Sequence, residues 1–111
     1  MNITNRGPMG QKPARGGKDP DYVARVRGLP CIICDSFGEP QNSPTQAHHC
    51  IHGRYGTLRT HDRCAVPLCE GHHQGDFDTS KIALHREPTR WKESYGQDFE
   101  YIAITQDRLG V

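Results

Sequence analysis

Apolar residues are scarce in this chain. They make up 33% of its 111 residues, against about 45–50% in a typical soluble domain. There is one tryptophan, there are two methionines, and aromatics reach only 7%. So thin a supply excludes a large hydrophobic core, and a scaffold this small usually needs a staple. No stretch approaches the roughly 18–20 apolar residues of a membrane-spanning helix, so no membrane is expected. The N-terminus has no apolar run of signal-peptide type. Five cysteines cannot all pair. Together these point to a reducing, cytoplasmic setting, where clustered cysteines favour a metal over disulfides. Acids are missing from residues 1–18, which carry Arg6, Lys12, Arg15 and Lys18, while the remainder is mildly acidic. Residues 1–18 are also rich in Gly and Pro, and read as a flexible basic tail suited to a phosphate-backbone partner or merely to solubility. Residues 19–111 read as one domain.

What is abundant is imidazole and thiol. Residues 47–73, "AHHCIHGRYGTLRTHDRCAVPLCEGHH", hold six of the seven histidines and three of the five cysteines. The segments around them are short. "DPDYVARVRGLP" predicts a helix capped by Asp19, with Pro20 in its first turn, Tyr22, Val23 and Val26 on one face, and Gly28 and Pro30 as stops. Residues 35–46 are a loop on composition. Residues 46–51 and 64–68 suit two strands, with Pro67 arguing for an edge or a strand end. A helix is expected from Glu70, a turn capped by Thr79 or Ser80, and a helix from Pro88 to Gly96. A last helix through "DFEYIAITQDRL" puts Phe99, Ile102 and Ala103 on one face.

Cys31 and Cys34 form C-x-x-C, and Cys69 and His72 form C-x-x-H. Two such knuckles can each aim two ligands at one tetrahedral zinc. Cys64 is an alternative for one ligand, and otherwise Cys50 and Cys64 read as small buried apolar residues. The surplus histidines come as doublets. On a helix adjacent side chains diverge by about 100°, so His73 must face away from whatever His72 faces. On a strand neighbours point to opposite faces, which separates His48 from His49. One member of each doublet can therefore meet at a second site, between a strand and the helix that follows the hairpin.

With C-x-x-C, "AHH", a Gly-rich stretch and "DRCAVPLCEGHH" in that order, residues 19–96 resemble the HNH (His-Me finger, ββα-metal) endonucleases. They are most similar to the small HNH proteins of phages and prophages, a group that includes a recombination-enhancing nuclease acting within recombinase filaments. The resemblance implies a small α+β fold with a ββα-metal core at about residues 46–86, stapled by a structural zinc and flanked by short helices. It implies that His48 and His73 ligate a catalytic metal and that His49 is the general base. A third ligand commonly lies four residues after His73, where this chain has Phe77. His85 fills that role after an insertion, with Asp76 and Asp78 as alternatives. The asparagine of the family pattern is absent, and Cys64 stands near its place. Asp62 fits better as the group that orients His49.

The implied activity is metal-dependent hydrolysis of DNA phosphodiesters with weak sequence preference. The catalytic ion would be Mg²⁺ or a transition ion such as Mn²⁺, Ni²⁺, Co²⁺ or Zn²⁺, since imidazole ligands suit the latter. Arg54, Arg59 and Arg63 are expected to touch backbone phosphates. Implied partners are DNA, a recombinase filament, or a phage packaging or recombination protein, in the cytoplasm of a bacterial host. Two other readings stand beside it: a non-enzymatic zinc module binding nucleic acid or a recombination protein, and a catalytically degenerate HNH fold.

Overall fold

A computed structural model of the chain describes residues 18–52 and 61–111. The basic segment 1–18, apart from Lys18, lies outside the described residues, and so do Arg54 and Arg59.

Helix α1, Pro20–Arg27, begins where the Asp19 side chain accepts the Tyr22 N–H at 3.2 Å, and Gly28 closes it. It buries Tyr22 and Val26, while Val23 is only half-buried. The first knuckle then winds into a short helix, α2, Ile32–Ser36. This helix was not expected. Its first turn is stabilised by the Cys31 sulfur, which accepts the Cys34 N–H, and by complete burial of Ile32 and Ile33.

Strand β1, Thr45–His49, pairs antiparallel with β2, Ala65–Cys69, with His48 opposite Val66 and His49 opposite Ala65. Both strands are offset from the expected 46–51 and 64–68. β1 stops early because the Ile51 and His52 N–H groups bind the Asp98 carboxylate instead of a strand. β2 starts late because Cys64 belongs to a 3-10 turn, Asp62–Cys64, which the His61 ring caps by accepting the Arg63 N–H.

The helix after β2 begins at Glu70 as expected and is a single turn, α3, Glu70–His73. Gly75, at a φ of +69°, ends it by donating its N–H to the Glu70 carbonyl. The chain then folds over the buried Glu70 carboxylate, which accepts the Asp76 and Asp78 N–H groups at 2.7 and 2.8 Å. That turn leads to α4, Pro88–Tyr95, closed by Gly96 as the sequence suggests. A 3-10 turn, Asp98–Tyr101, runs into α5, Ile102–Leu109. The inward face there is Asp98, Tyr101 and Thr105, whereas Phe99 is exposed. The expected face is rotated because Asp98 is drawn inward by polar partners.

The result is a small α+β domain built on a two-stranded sheet among the described residues. Ile32, Ile33, Leu68, Leu84 and Trp91 close around the knuckle cysteines. A smaller cluster of Tyr22, Val26 and Ala65 lies under α1. No described helix is long and apolar enough to cross a membrane.

Trp91 is fully buried, yet its indole N–H has no hydrogen-bond partner among the described residues. It therefore contributes by packing, at the cost of one desolvated donor. Trp91→Ala is expected to cost about 3–5 kcal/mol. Trp91→Phe, which also removes the orphan donor, is expected to cost about 1 kcal/mol or less. Urea unfolding measures both, and equal losses would contradict this account.

Candidate metal centres

Cys31 sits at the N-terminus of α2 and Cys34 inside it, Cys69 ends β2, and His72 lies one turn on in α3. All four are buried. The His72 Nδ1 atom lies 3.5, 3.5 and 3.4 Å from the sulfurs of Cys31, Cys34 and Cys69, and the Cys34 and Cys69 sulfurs are 3.8 Å apart. A tetrahedral zinc with ordinary bond lengths requires sulfur–sulfur edges of about 3.8 Å and sulfur–nitrogen edges of about 3.6 Å. The four residues therefore fit a metal such as zinc.

The other ring nitrogen of His72 is also occupied. Nε2 lies 3.2 Å from Glu39 Oε1 and 3.3 Å from the Tyr95 hydroxyl, which itself donates to Glu39 Oε2. A carboxylate on the far nitrogen fixes the tautomer that offers Nδ1 to a metal. Burial, then the neighbouring Cys69 sulfur, pushes the Cys34 thiol up to about 11. The hydrogen bond with Cys31, then burial, pushes Cys69 up to about 12. Thiols so reluctant to ionise are what a bound cation would offset. Cys64 is not in this group. Its carbonyl accepts the Cys50 thiol at 3.1 Å; Cys50 is buried and Cys64 half-buried.

A second group forms from the remaining histidines. His48, His73 and His85 place one ligand-type nitrogen each within 4.8 Å of one another. Their ring centroids are 4.9 to 5.4 Å apart. β1 supplies His48 and α3 supplies His73. His85 arrives because the returning chain pairs with the end of α3: the Leu84 and His85 N–H groups donate to the His72 and His73 carbonyls. Phe77, four residues past His73, is 88% exposed at the tip of the insertion. Neither Asp76 nor Asp78 belongs to the group. Asp78 is engaged by Ser43 and Ser80.

Each buried ring of this trio has a partner. His73 Nδ1 meets the Gln46 Oε1 atom at 2.7 Å, which leaves Nε2 for ligation. His48 Nε2 meets Asp98 Oδ2 at 2.8 Å. Burial, then the charges His48 and His85 would carry, lowers the His73 pKa to about 3. Burial pushes the Asp98 carboxyl up, but bonds from His48 and the Ile51 N–H outweigh it and hold it below the usual range.

Beside this trio, His49 Nε2 lies 2.7 Å from Asp62 Oδ1. The other Asp62 oxygen accepts the Asp19 N–H at 2.6 Å, so the start of α1 braces the carboxylate. Arg63 pairs with Asp19 at 2.9 Å and lies over the Tyr22 ring. Arg63 was expected to touch backbone phosphates; its side chain stays about half exposed beside this pair.

Glu39, Gln46 and Asp98 were not singled out in the sequence. Each lies far along the chain from the histidine it contacts, and a lone carboxamide or carboxylate carries no spacing signal.

These features define a small α+β domain with a Cys/His cluster that could hold a metal such as zinc. The chain belongs to DUF968, described as a protein family of unknown function, whose profile matches residues 10–109. No curated protein matches the chain, and no solved structure does.

Two outcomes follow. Cys34→Ser should lose tightly held zinc and the cooperative unfolding transition, while Cys64→Ser should retain both; elemental analysis with thermal unfolding decides this. His73 is neutral in the fold, whereas in the unfolded chain an ordinary imidazole takes a proton below about pH 6.5. Its contribution is complete above that pH and shrinks as pH falls toward about 3. Urea unfolding at about pH 7 and about pH 5 should therefore show a smaller acid loss for His73→Asn than for the wild-type chain.

Proposed function

We propose that this protein is a metal-dependent DNA endonuclease of the HNH type, with β1, β2 and α3 serving as its ββα-metal core. The observation that carries the reading is that the two histidines of one strand doublet enter two separate groups. His48 faces His73 and His85, while its neighbour His49 faces a braced carboxylate. A purely structural zinc module would need the four-residue knuckle and nothing more.

Asp62 holds Nε2 of His49, and His49 would take the proton from a water as general base. As the imidazolium forms, the Asp62 carboxylate stabilises it and keeps the ring aimed, the role a carboxylate plays behind other histidine bases. His48, His73 and His85 would hold the divalent ion, with His73 kept neutral by its surroundings. When bound, such an ion supplies Lewis acidity to a phosphoryl oxygen and to the leaving 3′ oxygen. Three imidazoles suit Mn²⁺, Co²⁺, Ni²⁺ or Zn²⁺ better than Mg²⁺, which prefers oxygen ligands. Arg54 and Arg59 would contact backbone phosphates, which position a duplex without reading its sequence.

Supercoiled plasmid incubated with zinc-loaded protein and Mn²⁺, Ni²⁺ or Mg²⁺ provides the test. Wild type should nick it. His49→Ala, at equal zinc content, should be slower by about 10²–10⁴-fold, and Asp62→Asn should be slowed to a lesser degree. Equal cleavage by wild type and His49→Ala would overturn the assignment of the base. DNA binding without cleavage of duplex or single strands would favour the non-enzymatic zinc module or a degenerate fold.

A further inference from the structure

We propose that Asp98 is the positioning residue of the three-histidine centre, setting the tautomer of His48 and so tying metal affinity to the C-terminal segment. This rests on the reading of His48, His73 and His85 as a metal site. Asp98 lies 50 residues from His48, outside the hairpin that carries His48 and His49, and has no solvent exposure.

Its carboxylate has a full set of partners. Oδ2 accepts from His48 Nε2 at 2.8 Å and from the Ile51 N–H at 2.8 Å, and Oδ1 accepts the His52 N–H at 3.2 Å. The clamp is reciprocal: the Asp98 N–H donates to His52 Nδ1 at 2.8 Å. Carboxylate and backbone of one residue thus grip the chain just past β1, where the last strand residues present the doublet. A buried carboxylate with these contacts has no freedom to rotate away, so the His48 ring is held by it.

The chemical consequence is directional. An ionised carboxylate is an acceptor only, so His48 must place its proton on Nε2. The Nδ1 lone pair is then the ligating atom. Asp98 is absent from the group of atoms that can share an ion, so it acts on the site through His48. Carboxylates behind metal-bound histidines raise ligand basicity and fix ring orientation, and losing one typically costs about 10–100-fold in metal affinity. Asp98 also opens the 3-10 turn leading into α5. The segment after residue 96, outside the hairpin, thereby becomes part of the metal site.

Two measurements test this. The first is calorimetric titration of zinc-loaded protein with Ni²⁺, comparing wild type and Asp98→Asn at equal zinc content and equal far-ultraviolet circular dichroism. Wild type should bind one Ni²⁺ beyond the zinc, and Asp98→Asn should bind it about 10–100-fold more weakly. Unchanged affinity in the variant would overturn the role of Asp98. No Ni²⁺ bound by wild type would overturn the three-histidine site itself, and the proposal with it. The second measurement needs no variant. Long-range ¹H–¹⁵N correlation on the zinc-loaded wild-type protein, without added Ni²⁺, should show the Nε2–H tautomer for His48. An Nδ1–H tautomer would overturn the proposal even if Asp98→Asn fails to fold.

Discussion

His72 cannot turn toward three buried sulfurs without turning His73 away from them. In one helical turn adjacent side chains diverge by about 100°, and everything else about the candidate site depends on that divergence. The knuckle fixes His72 through Nδ1, with Glu39 and Tyr95 on its other nitrogen. With α3 only four residues long, little helix remains to choose its own rotation. The ligand set chooses it, and His73 then points at β1. The strand imposes a matching split. His48 turns inward and is buried, and His49 turns to the other face, toward Asp62 and α1. Two doublets on two elements, each divided by the geometry of its backbone, yield a four-ligand knuckle, a three-imidazole cluster and a histidine–carboxylate pair. A four-residue knuckle and a three-imidazole cluster built this way are coupled, because the turn that seats His72 also aims His73.

Much of this was legible in the sequence because it rests on short-range spacing. C-x-x-C and C-x-x-H report which four residues converge, and the doublets report that a second convergence is possible. The helix that opens at Pro88 and closes at Gly96 follows from its own end residues. What the sequence did not reveal is long-range and polar. Glu39 reaches His72 and Asp98 reaches His48 across 33 and 50 residues, and neither sits in a periodic pattern. The same cause explains the misplaced strand ends. β1 ends at His49 rather than residue 51 because Asp98 takes the next N–H groups. The face of α5 is offset for the same reason. A hydrophobic pattern would put Phe99 inside, but the buried residues of that turn are Asp98 and Tyr101.

The insertion between His73 and His85 shows a related economy. Without a second turn of helix to carry a third histidine, the chain makes a detour and comes back. Glu70 binds the backbone of Asp76 and Asp78, the guanidinium of Arg86 donates to the Gly75 and Lys81 carbonyls, and the returning strand of chain bonds to the last carbonyls of α3. Gly75 is required there, since a Cβ would lie 2.4 Å from the Arg86 guanidinium and its φ is positive. The orphan carbonyls that any helix end leaves are thus the anchors that return His85 to the cluster.

A chain with so few apolar residues holds these parts together by burying polar ones that are fully paired. Asp62, Glu70 and Asp98 are each nearly or fully buried, and each accepts main-chain N–H groups from a segment distant from its own neighbours or from a turn that must be held. A buried carboxylate is costly unless its oxygens are satisfied, and these are satisfied by backbone that would otherwise need a strand or helix partner. Two of the three also touch a histidine. The groups that substitute for a larger core are therefore the groups that orient the imidazoles. For that reason folding and the geometry of the candidate site are one problem in this protein: a substitution that loosens a carboxylate loosens a histidine with it.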